Sequence, residues 1–175
     1  MKARHCLGCL AATAIAFATV VVHAGEEPKN PAFERLKSLE GHWVGPAVWD
    51  EDGQKGEVEF EVSYRVTSGG SVVLETMMPG TPGEMVTAYH LDGEDLVLVH
   101  YCTSGNQPRM KRLPSSDPSD LAFGCLGGTN MTEADSHMHS AHLRIVDPDH
   151  VRGEWSSHEG GVVKWIAQAE LARRK

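Results

Sequence analysis

"EVEFEVSYRV", residues Glu57 to Val66, alternates without a break. Val58, Phe60, Val62, Tyr64 and Val66 fall on one side; Glu57, Glu59, Glu61, Ser63 and Arg65 fall on the other. Successive side chains of a strand point to opposite faces, so this is the pattern of a strand with one dry face and one wet face. A helix would scatter the same residues around its circumference.

Outward from this stretch, nine more runs have the same texture: "HWVGPAVW", "SVVLETMM", "EMVTAYHL", "DLVLVHYC", "PRMKRL", "DLAFGCL", "HSAHLRIV", "HVRGEWSS" and "GVVKWIAQAEL". The joints between them are turn formers, among them "DEDGQKG", "SGG", "PGTPG", "DGED", "DPSD", "DPDH" and "EGG". The piece expected to be irregular for longest is "GGTNMTEADSHM", Gly127 to Met138. Ahead of the strands, "GEEPKNPAFERLKSLEG" places Pro31 for a first helical turn. Phe33, Leu36 and Leu39 follow at helical spacing, and Gly41 is a stop. The expected fold is all-β, about ten antiparallel strands after one short helix. Strand edges left open invite aggregation, and closing into an up-and-down barrel removes them completely. A barrel of this size can enclose one small ligand.

The first residues read differently. Lys2 and Arg4 precede an apolar stretch, Leu7 to Val22, and Val22-His23-Ala24 is a small-x-small cleavage signal. That is the anatomy of a secretory signal peptide, with the apolar stretch short for a membrane span. The expected organisation is 1–24 signal peptide, 25–40 N-terminal segment with the helix, and 41–175 barrel domain. Cleavage after Ala24 would leave 151 residues without a membrane span, in a periplasm or outside the cell. Loss of Lys2 and Arg4 takes the formal net charge from −8 to −10. Such a field repels phosphate backbones, which argues against nucleic acid as a partner. Cys102 and Cys125 are the cysteines that survive. In an oxidising compartment a lone pair defaults to a disulfide; the competing reading keeps Cys102 free as a ligand or nucleophile.

"FERLKSLEGHWVG", a short helix running into Gly41-x-Trp43-x-Gly45, resembles the opening of lipocalin-like (calycin) barrels. The resemblance implies that Trp43 plugs one end of the barrel. "ETMMPGTPGEMVTAYHLDGEDLVLVHYCTSGNQPRMK" with the later "HMH" resembles a bacterial family of uncharacterised secreted proteins of that architecture. In strand count and opening motif the chain is also similar to the ten-stranded haem-binding nitrobindins. Those hold iron through a histidine late in the chain, for which His158 would be the counterpart. Along "VRGEW", however, Trp155 shares its face with Val151 and Gly153, which leaves His158 as a surface histidine near a turn. No Cys-x-x-Cys-His is present for covalent haem either.

The donors of interest fall in two groups. His100 and Cys102 point the same way along "DLVLVHYC", about 7 Å apart at their Cα atoms. In "DSHMHSAHLRI", if extended, His137 and His139 share the face of Ala141, Leu143 and Ile145. Imidazole and thiolate suit zinc or copper, so His100, Cys102, His137 and His139 form a candidate metal set inside the barrel. The competing reading is a hydrogen-bonded wall histidine, a disulfide and a polar loop. Asn106, Gln107 and Arg109 in "SGNQPRM" are candidate ligand contacts at the barrel mouth, Arg109 as a fork for a carboxylate or phosphate. No Gly-x-Ser-x-Gly, His-Glu-x-x-His or phosphate-loop motif occurs. The expected function is a secreted binding module for a small molecule or a transition-metal ion. The alternatives are a Cys/His hydrolase or isomerase built on Cys102 with His137 or His139, and a nitrobindin-like haem barrel.

Overall fold

The structure is a computed structural model that describes residues 30–175. The expected signal peptide, 1–24, lies outside the described residues, as does the start of the 25–40 segment. Helix α1 (Pro31–Lys37) is followed by ten strands: β1 (Gly41–Glu51), β2 (Gln54–Thr67), β3 (Val72–Met77), β4 (Met85–Asp92), β5 (Asp95–Tyr101), β6 (Gln107–Arg112), β7 (Asp120–Thr129), β8 (His137–Asp147), β9 (His150–Glu159) and β10 (Val162–Arg173). Each strand pairs antiparallel with the next, and β1 pairs with β10, so the barrel closes without an edge. The ten alternating runs of the sequence are these ten strands.

Two stretches are more regular than their composition suggests. "QPRM" belongs to β6, and β7 and β8 extend into the Gly127–Met138 piece, leaving only 130–136 between strands. Ladder pairing overrides the weak strand propensity of Gly and Pro here. Pro108 has no N–H to give and sits beside a register shift, the usual place for proline in a sheet.

One end of the barrel is plugged. The Asn30 side chain accepts from the backbone N–H groups of Ala32 and Phe33, and its amide donates to the Glu94 carbonyl. This caps α1 and ties it to the β4–β5 turn. Ala32, Phe33, Leu36 and Leu39 are buried against that end with Trp43, which is fully buried. The Trp43 Nε1–H donates to the Leu39 carbonyl at 2.7 Å. The Arg173 guanidinium lies 4.3 Å from the Trp43 ring and donates to the carbonyls of Ser38, Glu40 and Pro148. One residue at the end of β10 therefore locks the helix exit, β1 and the β8–β9 turn together. Gly45 serves the same junction: a Cβ there would collide with the Glu170 carbonyl across the β1–β10 pair.

Loss of this lock has a measurable consequence. Arg173→Ala removes a cation–π contact and three charge-assisted hydrogen bonds, which should cost roughly 2–3 kcal/mol. Urea unfolding followed by tryptophan fluorescence reads it directly. Arg173→Lys should restore little, because an ammonium cannot reproduce the planar fork. A midpoint unchanged in both variants would show that the junction does not depend on Arg173.

Candidate ligand cavity and its rim

The two halves of the barrel interior differ. Toward the plugged end the inward positions carry large side chains, including Tyr64, Tyr89, Leu98, Met110, Leu121 and Phe123, all buried. Toward the other end β1, β9 and β10 present Ala47, Gly153, Ala167 and Ala169 inward, and the missing side-chain volume leaves a cavity of about 430 Å³. Its wall is Phe60, Met77, Met85, Met138, Trp155 and Trp165 with smaller apolar residues between them. Methionine and tryptophan give such a wall both apolar area and some adaptability of shape.

Of the polar side chains that line this cavity, Tyr64, Glu75 and His100 are buried and belong to one network, while Glu51 is exposed at the end of β1. Glu75, 2% exposed, accepts from the Tyr64 hydroxyl at 2.8 Å and the Tyr89 hydroxyl at 2.6 Å. Burial raises its pKa, while hydrogen bonds from Tyr89, Tyr64 and Thr87 act in the opposite sense. Burial, and next the adjacent carboxylate, hold both tyrosines well above their ordinary range, so both remain donors. The Thr87 hydroxyl lies 2.9 Å from His100 Nδ1. With the Thr87 proton directed to Glu75, Thr87 accepts from His100 Nδ1–H, which leaves a bare lone pair on Nε2. That Nε2 is buried and has no hydrogen-bond partner among the described residues. Its ring packs 4.9 Å from the Trp155 ring, and burial lowers its pKa to about 4. His100 is thus a neutral imidazole among largely apolar neighbours.

The expected site residues separate into three places. His100 faces the cavity. His137 and His139 meet at the rim, where His137 Nε2 and His139 Nδ1 are 3.1 Å apart. Their thiol partner is Cys125 rather than Cys102: the ligand atoms of Cys125, His137 and His139 all lie within 4.8 Å of one another, a grouping that includes neither His100 nor Cys102. Both cysteines are free thiols. Strict alternation along β8 fails at the rim because a register shift against β9 separates Met138 from Ser140. An extra residue in one strand reverses inside and outside, so Met138 is the residue that lines the cavity.

Arg109 lies on the outer face of β6 and pairs with Asp92 at 2.6 Å. Asn106, 4% exposed, donates to the Ser136 carbonyl and so clips the β5–β6 loop to the β7–β8 loop. The Gln107 side chain donates to the Gly105 carbonyl and accepts from Thr129 and Asn130. These three residues shape the rim and the wall. His158 is not an isolated surface histidine. Its ring stacks on His139 at 4.0 Å with an interplanar angle of 6°. Partial burial and then neighbouring imidazoles lower the pKa values of His139 and His158.

Sequence reasoning passed over Glu75, Tyr64, Thr87 and Cys125. Glu75 carried a usable signal: in "VVLETM" it shares the face of Val73 and Met77, a carboxylate on a dry face. Cys125 shares the face of Leu121 and Phe123, but nothing in the sequence joins it to β8.

Solved structures with this fold are known. A protein of unknown function from the DUF3598 family of Nostoc punctiforme superposes with a TM-score of 0.57 at 12% identity, covering 79% of this chain and 49% of that one. The chain thus spans about half the length of that protein. Rv2717c from M. tuberculosis superposes with a TM-score of 0.57 at 16% identity, covering 83% of this chain and 98% of that one. At these identities the likeness is one of fold alone. No protein-family profile matches the sequence, and no curated protein does. No helix among the described residues is long and apolar enough to cross a membrane.

Proposed function

We propose that this protein binds one small, largely apolar molecule inside the barrel, with a hydroxyl or N–H of the ligand donating to His100 Nε2. The observation that carries the reading is a cavity of about 430 Å³ with apolar walls, lined in part by His100, whose Nε2 is buried and has no hydrogen-bond partner among the described residues. A volume of this order lies at the small end of ordinary ligand pockets, and such pockets combine apolar walls with a few placed polar groups. An unsatisfied buried acceptor costs roughly 1–3 kcal/mol, which a donor on the ligand would recover. With the Thr87 proton directed to Glu75, His100 holds its proton on Nδ1 and Nε2 accepts, so in that tautomer the site favours donors over carbonyls and anions.

The same reading places the protein outside the cytoplasm, carried there by Met1 to Ala24. Intact mass of the protein recovered from its cells should then correspond to a chain beginning at Gly25.

The binding test uses Gly153. Its backbone is ordinary, and a Cβ there would meet only Leu143 at 3.6 Å. Gly153→Phe should therefore fill the cavity without disturbing the ladder. An apolar fluorescent probe is expected to bind the native protein and quench Trp155 and Trp165. It should bind the Gly153→Phe protein at least roughly tenfold more weakly, since steric occupation removes most of the apolar contact area. Mass spectrometry of what copurifies would identify the natural ligand. Equal probe binding by both proteins would refute an interior site.

A further inference from the structure

The rim cluster is a second site, separate from the cavity wall. The β7–β8 ladder ends at the pair Gly124–Ser140, and Cys125 and His139 are the next residues along each strand. Beyond that pair β7 continues against β6 alone, through Gly128 and Thr129, while β8 keeps His137 and Met138 against β9. The two strands part at this point, and the donors Cys125, His137 and His139 gather there. We propose that they form a binding site for one transition-metal ion of the zinc or copper(I) type.

Four observations support it. The three ligand atoms fall within 4.8 Å of one another. Ligands on one tetrahedral ion with Zn–N near 2.0–2.1 Å and Zn–S near 2.3 Å stand about 3.3–3.6 Å apart, so modest side-chain rotation closes the set. His137 and His139 are already at 3.1 Å. The set is also oriented from outside. His137 Nδ1 lies 2.8 Å from the Asp135 carbonyl, which fixes the proton on Nδ1 and leaves Nε2 free to ligate. This is the arrangement that metal-binding histidines ordinarily show. The carbonyl itself is held by a turn, in which the Asp135 carboxylate accepts from the N–H and hydroxyl of Thr132. The Gly127 N–H donates to Cys125 Sγ at 3.2 Å, a contact that restrains the position of the sulfur. Finally, His158 stacked on His139 restrains the plane of that ring.

The proton balance is simple. With His137 Nε2 bare, the proton in the 3.1 Å contact belongs to His139 Nδ1. Metal binding moves it to His139 Nε2, and the Cys125 thiol releases one proton to solvent, as thiolate ligation requires. Three protein ligands leave a fourth position for water or an added donor. The donors are one thiolate and two imidazoles without a carboxylate, which selects zinc and copper(I) over magnesium or calcium.

The site predicts a result on the unmodified chain. One equivalent of Zn²⁺, or of Cu⁺ supplied from a buffered complex, should protect Cys125 from alkylation and leave Cys102 reactive, as peptide mapping would show. Calorimetry should give one ion per chain. His137→Ala combined with His139→Ala should weaken binding by about a hundredfold or more, because even the loss of an outer-shell partner costs 10–100-fold. Cys125→Ser should also weaken it, while Cys102→Ser should not. Circular dichroism of each variant confirms that the barrel is intact. If neither ion protects Cys125 in the native chain, or if the Cys125 and histidine variants bind as the native protein does, the site does not exist. Failure here would leave the interior ligand site untouched, because Gly153→Phe and the apolar probe report on the cavity alone.

Discussion

Trp43→Ala should be the most damaging single substitution in the barrel. The indole is fully buried, its Nε1–H is donated to Leu39, and Arg173 stacks on its face. Truncating a buried tryptophan to alanine costs about 3–5 kcal/mol through lost apolar burial and the cavity left behind. The Arg173 guanidinium would lose its ring, and the Leu39 carbonyl its donor, so the upper part of that range is expected. For a domain of this size the melting temperature should fall by roughly 10 °C. Trp43→Phe keeps part of the volume but not the Nε1–H, and should cost about half as much. Differential scanning calorimetry of the two variants tests the order. A Trp43→Ala protein within about 1 kcal/mol of native would mean that the plug is dispensable and the strand ladder alone holds the barrel.

Acid should find the second weak point at His100. Burial lowers its pKa in the folded protein to about 4, from 6.5 for an unperturbed imidazole. Between those values the unfolded chain takes up a proton that the native state refuses. The associated stability is therefore complete above about pH 6.5 and is lost as the pH falls toward 4. A difference of two to three pKa units corresponds to about 3 kcal/mol. Glu75 acts in the opposite sense: its raised pKa makes the native state bind its proton more readily than the unfolded chain does, so its contribution is lost as the pH rises. Native stability alone would mix the two. Comparison with His100→Gln isolates the histidine, because Glu75, His139 and His158 are common to both proteins. The native advantage over His100→Gln should shrink by about 3 kcal/mol between about pH 7 and pH 4, measured by urea unfolding at each pH. Parallel pH profiles for the two proteins would show that His100 is not held neutral.

How much of this was legible in the sequence depends on the range of the interaction. The alternation in "EVEFEVSYRV" and its counterparts is a local property, since a cleanly alternating strand shows its dry face in its own residues; "DLVLVHYC", apolar on both faces at its start, does not. The ten strands follow from it, the short helix from Pro31 and the spacing of Phe33, Leu36 and Leu39, and the burial of Trp43 is what the resemblance of the Gly-x-Trp-x-Gly opening to calycin barrels implied. The inward pairing of Val151, Gly153 and Trp155 was readable on the same ground. Where a bulge intervenes, the rule loses its phase. Before Ala141 the alternation assigns His137 and His139 to the interior or its rim; the structure gathers them at the rim, and the shift at Met138 gives the cavity wall to the methionine.

The sequence by itself determined the strand count, the all-β class, the dry face of the cleanly alternating strands and the types of donor available. Only the tertiary structure decided which donors meet. Cys102 and Cys125 are equivalent as letters, yet closure of the barrel in register sets Cys125 beside His137 and His139 and leaves Cys102 outside that grouping. Arg109 pairs with Asp92 across the outer wall, and Arg173 closes the plug from the far end of the chain. The cavity itself is a joint property of β1, β9 and β10, whose small inward residues coincide only after β1 pairs with β10. Alternation is fixed by the geometry of one strand. A site is fixed by the register between strands, and a shift of one residue in that register exchanges every neighbour.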